Sequence, residues 1–315
     1  MIQKKFQLRA MLYQKIRTFF SERNVLEVET PLLCQHTVTD PHIESFIVPI
    51  NGDAINRVST NYYLQTSPEY AMKRLLAAGS GSIYQITKSF RVGESGHQHN
   101  PEFTMLEWYR VGFDHHDLMD EIDLFLQILL QTSPADKISY RNLFLKYLQF
   151  DPFQIDCESL KKLISKNNIA VDTNDIDHDT CLQILLSHLI EPTLGVEKPL
   201  FIYDFPVTQA ALAKIRHDDP PVAERFELYM NGSEIANGFH ELTDPVEQQM
   251  RFEKNQRDRK NNQQTVPAID HYFINALKSG LPHCAGVAIG IDRLLMQYTK
   301  TKNIQDVVSF TFDKA

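Results

Sequence analysis

Residues 224–240 read ERFELYMNGSEIANGFH. Two strand-like runs, 224–230 and 233–240, flank Asn231-Gly232, the residue pair that closes a tight antiparallel hairpin. Upstream, 82–91 and 103–111 read as two further strands around a polar loop, 92–102. Downstream, 284–289 is strand-like and runs into a helical pattern from Gly290 (Ile291, Leu294, Leu295, Tyr298). Helical spacing surrounds these strands: Leu8, Leu12, Ile16 and Phe19 near the start, and Leu118, Ile122, Phe125 and Leu129 after the second strand. Ser67 as N-cap with Pro68 in the first turn predicts a helix over 69–78, closed by Gly79. Asp244-Pro245 opens a long charged helix to about 262. Val25 to Thr30 alternates as a strand and stops at Pro31. Adjacent hairpins favour a largely antiparallel sheet with helices packed on it, an α+β architecture. Residues 132–199 read as a mostly helical insertion within one domain over 1–315.

The chain has 315 residues, 43% hydrophobic and 23% charged, the composition of a globular protein and not of a disordered or collagenous one. Its net charge of -8 excludes a general basic coat for nucleic acid. Cys34, Cys157, Cys181 and Cys284 form no CxxC pair, so a disulfide framework or cysteine-zinc site is not expected. No signal peptide and no membrane span is read, so the expected location is the cytoplasm.

Three constellations bear chemistry. In the hairpin, a two-residue turn sets Glu227 opposite Ala236 and diagonal to Glu234, roughly 7–8 Å apart at the backbone. Two such carboxylates suit Mg²⁺ with phosphates; two solvated acids are the ordinary alternative. Glu241 is seven residues beyond Glu234, so an ideal strand separates their faces. A shared site requires a bulge or bend near Asn237-Gly238. In the strand–loop–strand, Arg91 ends one strand and His99 begins the next, with Phe103 placed to pack on a flat base. A surface hairpin is the alternative there. His97, His99, His115 and His116 are not expected to bind metal, because no third ligand type clusters with them in sequence. In the third, Gly286 and Gly290 admit close backbone approach, and Arg293 in a first helical turn needs an anionic partner. All three are compatible with ATP.

At these residues the chain resembles the class II aminoacyl-tRNA synthetase catalytic domain. Its three motifs occur in order: VLEVETP ending at Pro31, Phe90-Arg91 with HNPEF at 99–103, and GVAIGIDR at 286–293. TSPEY at 66–70, HNPEFTMLEWY at 99–109 and GSEIANGFHEL at 232–242 are similar to the lysyl-tRNA synthetase subclass, and most of all to its bacterial paralogues that act on elongation factor P. About 20 residues precede the first motif strand, too few for an anticodon-binding domain.

The resemblance implies activation of (R)-β-lysine or lysine by ATP and Mg²⁺, and transfer to a lysine ε-amine of elongation factor P, with no stable tRNA binding. It also implies a homodimer, since the first motif forms the subunit interface in this class. Arg91 and Arg293 become catalytic. Arg91, Gly93, Glu94, His99, Asn100, Phe103, Glu234, Ile235, Gly290 and Arg293 would hold ATP. Ser67, Glu69, Tyr109, Asn237, Glu241 and Ala288 would hold the amino acid, and Glu227 and Glu234 the metal. Ser67 and Ala288 replace a small apolar residue and a glycine of the synthetases, changes worth about 1–3 kcal/mol in discrimination. The class pattern Arg-x-Glu is broken here by Gly93, with Glu94 one place late. Trp108 reads as core. Two rival readings remain from sequence: a truncated synthetase-like enzyme serving another acceptor, and a non-catalytic regulatory subunit binding an amino acid or nucleotide.

Overall fold

The computed structural model describes residues 2–50 and 60–315. These fall into two compact units, unit 1 (Met1–Phe113 with Leu242–Ala315) and unit 2 (Asp114–Glu241). The chain opens with α1 (Ile2–Ser21), short strands β1 (Leu26–Glu27), β2 (Leu33–Cys34), β3 (Ile47–Ile50) and β4 (Thr60–Leu64), then α2 (Glu69–Ala77), β5 (Ile83–Phe90) and β6 (Glu102–Val111). Unit 2 follows with α3 (His115–Leu130), β7 (Asp136–Ser139), α4 (Tyr140–Leu148), α5 (Cys157–Lys166), α6 (His178–Leu185), β8 (Leu200–Pro206), β9 (Ile215–Arg216), β10 (Val222–Met230) and β11 (Ser233–His240). The chain returns to unit 1 through α7 (Pro245–Asn261), α8 (His271–Gly280), β12 (Cys284–Gly290) and α9 (Ile291–Thr299).

In unit 1 the main strands lie in the order β1-β5-β6-β12. Only β1 runs parallel to its neighbour; β5, β6 and β12 are antiparallel, and β2-β4-β3 form a separate antiparallel sheet. Trp108 on β6 is fully buried, edge-on to Phe20 of α1, whose ring stacks on Tyr84 at 4.3 Å. The expected strand over 25–30 shrinks to Leu26–Glu27. The amides of Leu26 and Val28 donate to the carbonyls of Ser82, just before β5, and Tyr84 on it, and beyond them the Thr30 hydroxyl donates to the Gln85 side chain. Arg9 of α1 pairs with Asp292, which also accepts the Thr104 amide at 2.8 Å. Asp292 is almost fully buried, so this contact ties α1 to the start of α9.

α2 begins at Glu69, as expected, but its cap residue is not the expected Ser67. Pro68 is the cap residue, and the Ser67 hydroxyl accepts the Glu69 amide at 3.1 Å. α7 is capped by Asp244, as its Asp-Pro start predicts. Its charged sequence nevertheless buries Arg259, whose guanidinium donates to the carbonyls of Thr39, Asp40, Ile43 and Thr265 and to Glu44.

In unit 2 the order is β11-β10-β8-β7, with β9 also beside β10. β7 runs parallel to β8; the other pairs are antiparallel. Leu118, Ile122, Phe125 and Leu129 of α3 are fully buried, as their spacing predicts. The 132–199 region is helical over α4, α5 and α6. It contributes Tyr140, Phe144, Leu160, Ile164, Leu182 and Leu185 to a core shared with β8 and β10.

Candidate active site

Unit 1 gathers an acidic cluster at the start of α2. β6 carries Glu107 between β5 and β12, opposite Gln85 on one side and Ala288 on the other. The Ser67 hydroxyl donates to Glu107 at 2.8 Å, and the Tyr109 hydroxyl donates to its other oxygen at 2.5 Å. Glu69 accepts from the buried Lys73 at 2.6 Å, one helical turn along. Burial, and next the Glu69 carboxylate, push the Glu107 carboxyl up to about 7. Ser67, Glu69, Tyr109 and Ala288 were all expected to face the substrate; the first three interact directly with Glu107 or each other, and Ala288 is its register neighbour. Glu107 itself was missed. Its signal was present: an acid between Leu106 and Trp108 in the middle of an apolar strand has no solvated face to occupy.

The adjoining group is cationic. Thr66 accepts from Arg91 Nε at 3.3 Å, linking the Ser67 segment to the guanidinium. Arg91 Nη1 meets Glu94 at 3.3 Å, and its charge lies 5.2 Å from the Phe103 ring centre. Gly93 has φ +82, a left-handed turn that suits glycine. That turn returns Glu94 to Arg91, which accounts for the displaced acid of the motif. Arg293 at the start of α9 bonds His99. Partial burial and then this guanidinium hold the His99 imidazole below its ordinary pKa. His99 lies in the loop, since β6 begins only at Glu102. A Cβ built on Gly290 would meet Arg293 side-chain carbons only at 3.8 Å, so packing inside the protein does not demand glycine there. Asn100 is nearly buried, its amide donating to Glu102 O and accepting the Phe312 amide.

Unit 2 holds the hairpin residues. The Asn231-Gly232 turn forms as predicted, both residues at positive φ. The register differs from the simple one: Met230 faces Ser233 and Tyr229 faces Glu234, but Leu228 faces Ala236. Ile235 is therefore an extra residue, a β-bulge, and Glu227 lies opposite Asn237, not Ala236. The bulge reverses the alternation. Glu234 now shares a face with Asn237 and Phe239, and with Glu227 and Tyr229 of β10. The bulge that a joint role for Glu234 and Glu241 requires is present, two residues before the expected Asn237-Gly238.

Glu227 is buried. It accepts from Tyr229 Oη at 2.8 Å and from Arg225 at 2.5 Å. Burial, and after it Glu227 and Glu234, push the Tyr229 hydroxyl well above its ordinary value. Three carboxylates thus crowd one buried phenol, Glu227, Glu234 and Glu191, the last accepting from Tyr229 Oη at 3.2 Å, with Arg225 bound to one oxygen of Glu227. This hard-oxygen, anionic donor set fits Mg²⁺. Glu241 is almost fully buried and bridges to Ala213.

Of the four histidines set aside as ligands, His97 and His99 stay apart from any metal-like cluster among the described residues. His115 does not: it lies with Glu224 and His240, a grouping invisible in the linear sequence.

The family described as tRNA synthetases class II (D, K and N) matches residues 1–314. Curated relatives match along nearly the whole chain. The elongation factor P--(R)-beta-lysine ligase of Vibrio cholerae is 50% identical over 308 residues, 98% of this chain and 95% of the relative. The proteins of the same name from Vibrio atlanticus and Salmonella arizonae are each 49% identical, covering 99% and 98% of this chain and 97% and 94% of their own length. With its motifs in order and this full-length match, the chain belongs to the class II (D, K and N) tRNA synthetase family and is an ATP-dependent ligase of that family.

Proposed function

We propose that the protein activates (R)-β-lysine, or lysine, as an aminoacyl-adenylate and transfers it to a lysine ε-amine of elongation factor P. The observation that carries this reading is the Ser67–Glu107–Tyr109 cluster with Glu69 beside it, an acidic group suited to an amino acid bearing ammonium groups. The names of the full-length relatives support the acceptor.

In the first step the amino acid's carboxylate oxygen attacks the α-phosphorus of ATP, and pyrophosphate leaves. Arg91 stabilises charge on the α-phosphate, while His99 and Arg293 hold the outer phosphates and Phe103 and Arg293 take the two faces of adenine. Asn100, Gly93 and Gly290 shape the nucleotide's surroundings. For unit 2 we assign Mg²⁺ to Glu227 and Glu234, with Glu234 and Ile235 also touching nucleotide, and the substrate's ammonium to Glu241 beside Asn237. The metal supplies charge neutralisation at the phosphates. In the second step the neutral ε-amine attacks the acyl carbon, the acyl–phosphate C–O bond breaks, and the leaving phosphate of AMP takes up the amine's proton, giving an amide. Catalysis here is positioning and electrostatics.

The test is the intact mass of elongation factor P after incubation with the protein, ATP, Mg²⁺ and either isomer. A gain of one lysyl unit, faster with the β isomer, is expected. Pyrophosphate exchange without any gain on elongation factor P would move the function to another acceptor.

Ala288, the register neighbour of Glu107, tunes the isomer preference. Ala288→Gly removes one methyl from that wall and is expected to shift the ratio of kcat/KM for the β and α isomers by about tenfold toward α-lysine. A shift under about twofold would take Ala288 out of the pocket.

We also infer a homodimer. The first-motif region leaves Leu26, Leu33 and Ile47 exposed, at 58%, 40% and 44%. Sedimentation is expected to give twice the 36.4 kDa chain mass; a purely monomeric species would overturn the inference. No helix among the described residues is long and apolar enough to cross a membrane.

A further inference from the structure

We infer that unit 2 carries a nitrogen-donor metal site, formed by His115, Glu224 and His240 and built for a dication of the zinc class. This inference does not rest on the ligase reading and concerns other residues than Glu227 and Glu234.

The three primary donors come from three elements: His115 opens α3, Glu224 lies on β10 and His240 ends β11. All three are buried, and one ligand atom from each lies within 4.8 Å of the others. By register, Glu224 stands opposite His240 on the reverse of the face that carries Glu227 and Asn237. The cluster is therefore separate from the acids assigned to Mg²⁺. Its position in the chain is telling all the same, since His240 immediately precedes Glu241 and its carbonyl accepts the Lys214 amide at 2.8 Å. A metal at this point would brace the end of β11.

The backbone departs from regularity at this cluster. The register of β8 against β10 slips between Ala223 and Phe226, and Asp204 of β8, which faces the slip, has φ +60. A left-handed residue inside a strand is uncommon even for Asp, and such departures gather at functional sites. The result is that Asp204 Oδ1 sits 3.3 Å from His115 Nε2. Asp204 thus takes one nitrogen of the ring and orients the imidazole, leaving the other nitrogen for an ion. The Glu224–His240 contact, at 2.5 Å, is shorter and would open slightly as both turn to a central ion.

Two further observations point to a ligand. His115 Nδ1 is buried and has no hydrogen-bond partner among the described residues. Arg216 grips Asp204 at 2.6 Å and Asp218 at 2.7 Å and stands 3.6 Å from Glu224, an outer layer that braces both the His115 partner and the carboxylate of the cluster. Imidazole donors select zinc-like ions, whereas Mg²⁺ takes oxygen. A proton shared between His240 and Glu224 is the competing occupant, and the experiment separates the two.

The full-length protein is stripped with chelator, then equilibrated with Zn²⁺ in excess Mg²⁺, which saturates the oxygen-donor acids. About one tightly held Zn²⁺ per chain is expected by elemental analysis, and Co²⁺ is expected to give the visible absorption of a tetrahedral N/O site. His115→Asn and His240→Asn are each expected to weaken Zn²⁺ binding at least about tenfold. Because either variant can unfold, the wild-type protein is also followed by imidazole ¹⁵N resonances. Two of the 12 histidines are expected to lose their titration when Zn²⁺ is added. No retained Zn²⁺, binding that survives the double variant, or unaltered histidine titration would each overturn the site and leave a proton-sharing pair.

Discussion

Glu107→Gln is expected to cut kcat/KM for the amine substrate in pyrophosphate exchange by about 10–150-fold, the equivalent of a lost charged hydrogen bond of about 1.5–3 kcal/mol. The loss should fall mainly on KM. Glu107 is nearly inaccessible to solvent, is held by Ser67 and Tyr109, and has its carboxyl pushed from the ordinary 4.5 up to about 7 by burial and then by Glu69. A cationic amine binds the ionised form. KM for the amine should therefore fall as pH rises through about 7 and level off above it. The Gln variant should show a high KM without that step.

Stability should move the other way. An acid whose pKa is raised on folding binds its proton more tightly in the native state. Its contribution favours folding at low pH and is lost as pH rises from about 4.5 through about 7. Glu107→Gln should thus gain in urea resistance over the parent at pH 8, and not at pH 5. A variant that loses stability at pH 8 while keeping KM unchanged would mark Glu107 as a structural acid and not a substrate group.

Much of the fold was legible because its signals are local. The Asn231-Gly232 turn, the Asp244-Pro245 helix start and the Leu118-to-Leu129 stripe depend on neighbours in sequence, and each appears where expected. The bulge at Ile235 was legible only as a necessity: parity demanded one between Glu234 and Glu241, but nothing local said which residue would be extra. β1 fell short because pairing with β5, not alternation, decides its length. The buried pairings of Arg9 and Arg259 were not legible, because their acidic partners Asp292 and Glu44 lie hundreds of residues away in the chain. The same holds for His115, whose neighbours Glu224 and His240 are joined to it only by the packing of α3 on the sheet. In the site, the motif residues were legible and Glu107 was passed over: a strand buried on both faces lacks alternation, and the remaining signal was an acid with no solvated face to occupy.

Arg91→Lys is expected to lower kcat for adenylate formation by about 10²–10³-fold, the usual cost of removing one preorganised donor from developing charge. Lysine keeps the charge but not the fork. The Arg91 guanidinium is fixed on two edges, by the Thr66 carbonyl and by Glu94, and lies near Phe103, so its remaining donors are aimed without further ordering. A flexible ammonium would have to be oriented at the moment of reaction. KM for the amine should change little, because Ser67, Glu107 and Tyr109 are held by one another and not by Arg91. Glu94→Gln is the informative companion. If Glu94 acts by steadying Arg91, as the 3.3 Å ion pair suggests, the variant should lose about tenfold or less in kcat with KM for ATP nearly constant. If Glu94 instead meets adenine, as its counterpart in the class pattern does, KM for ATP should rise and the preference for ATP over GTP should weaken. Intact kcat in Arg91→Lys would deny Arg91 its place at the α-phosphate and with it the first step proposed for this protein.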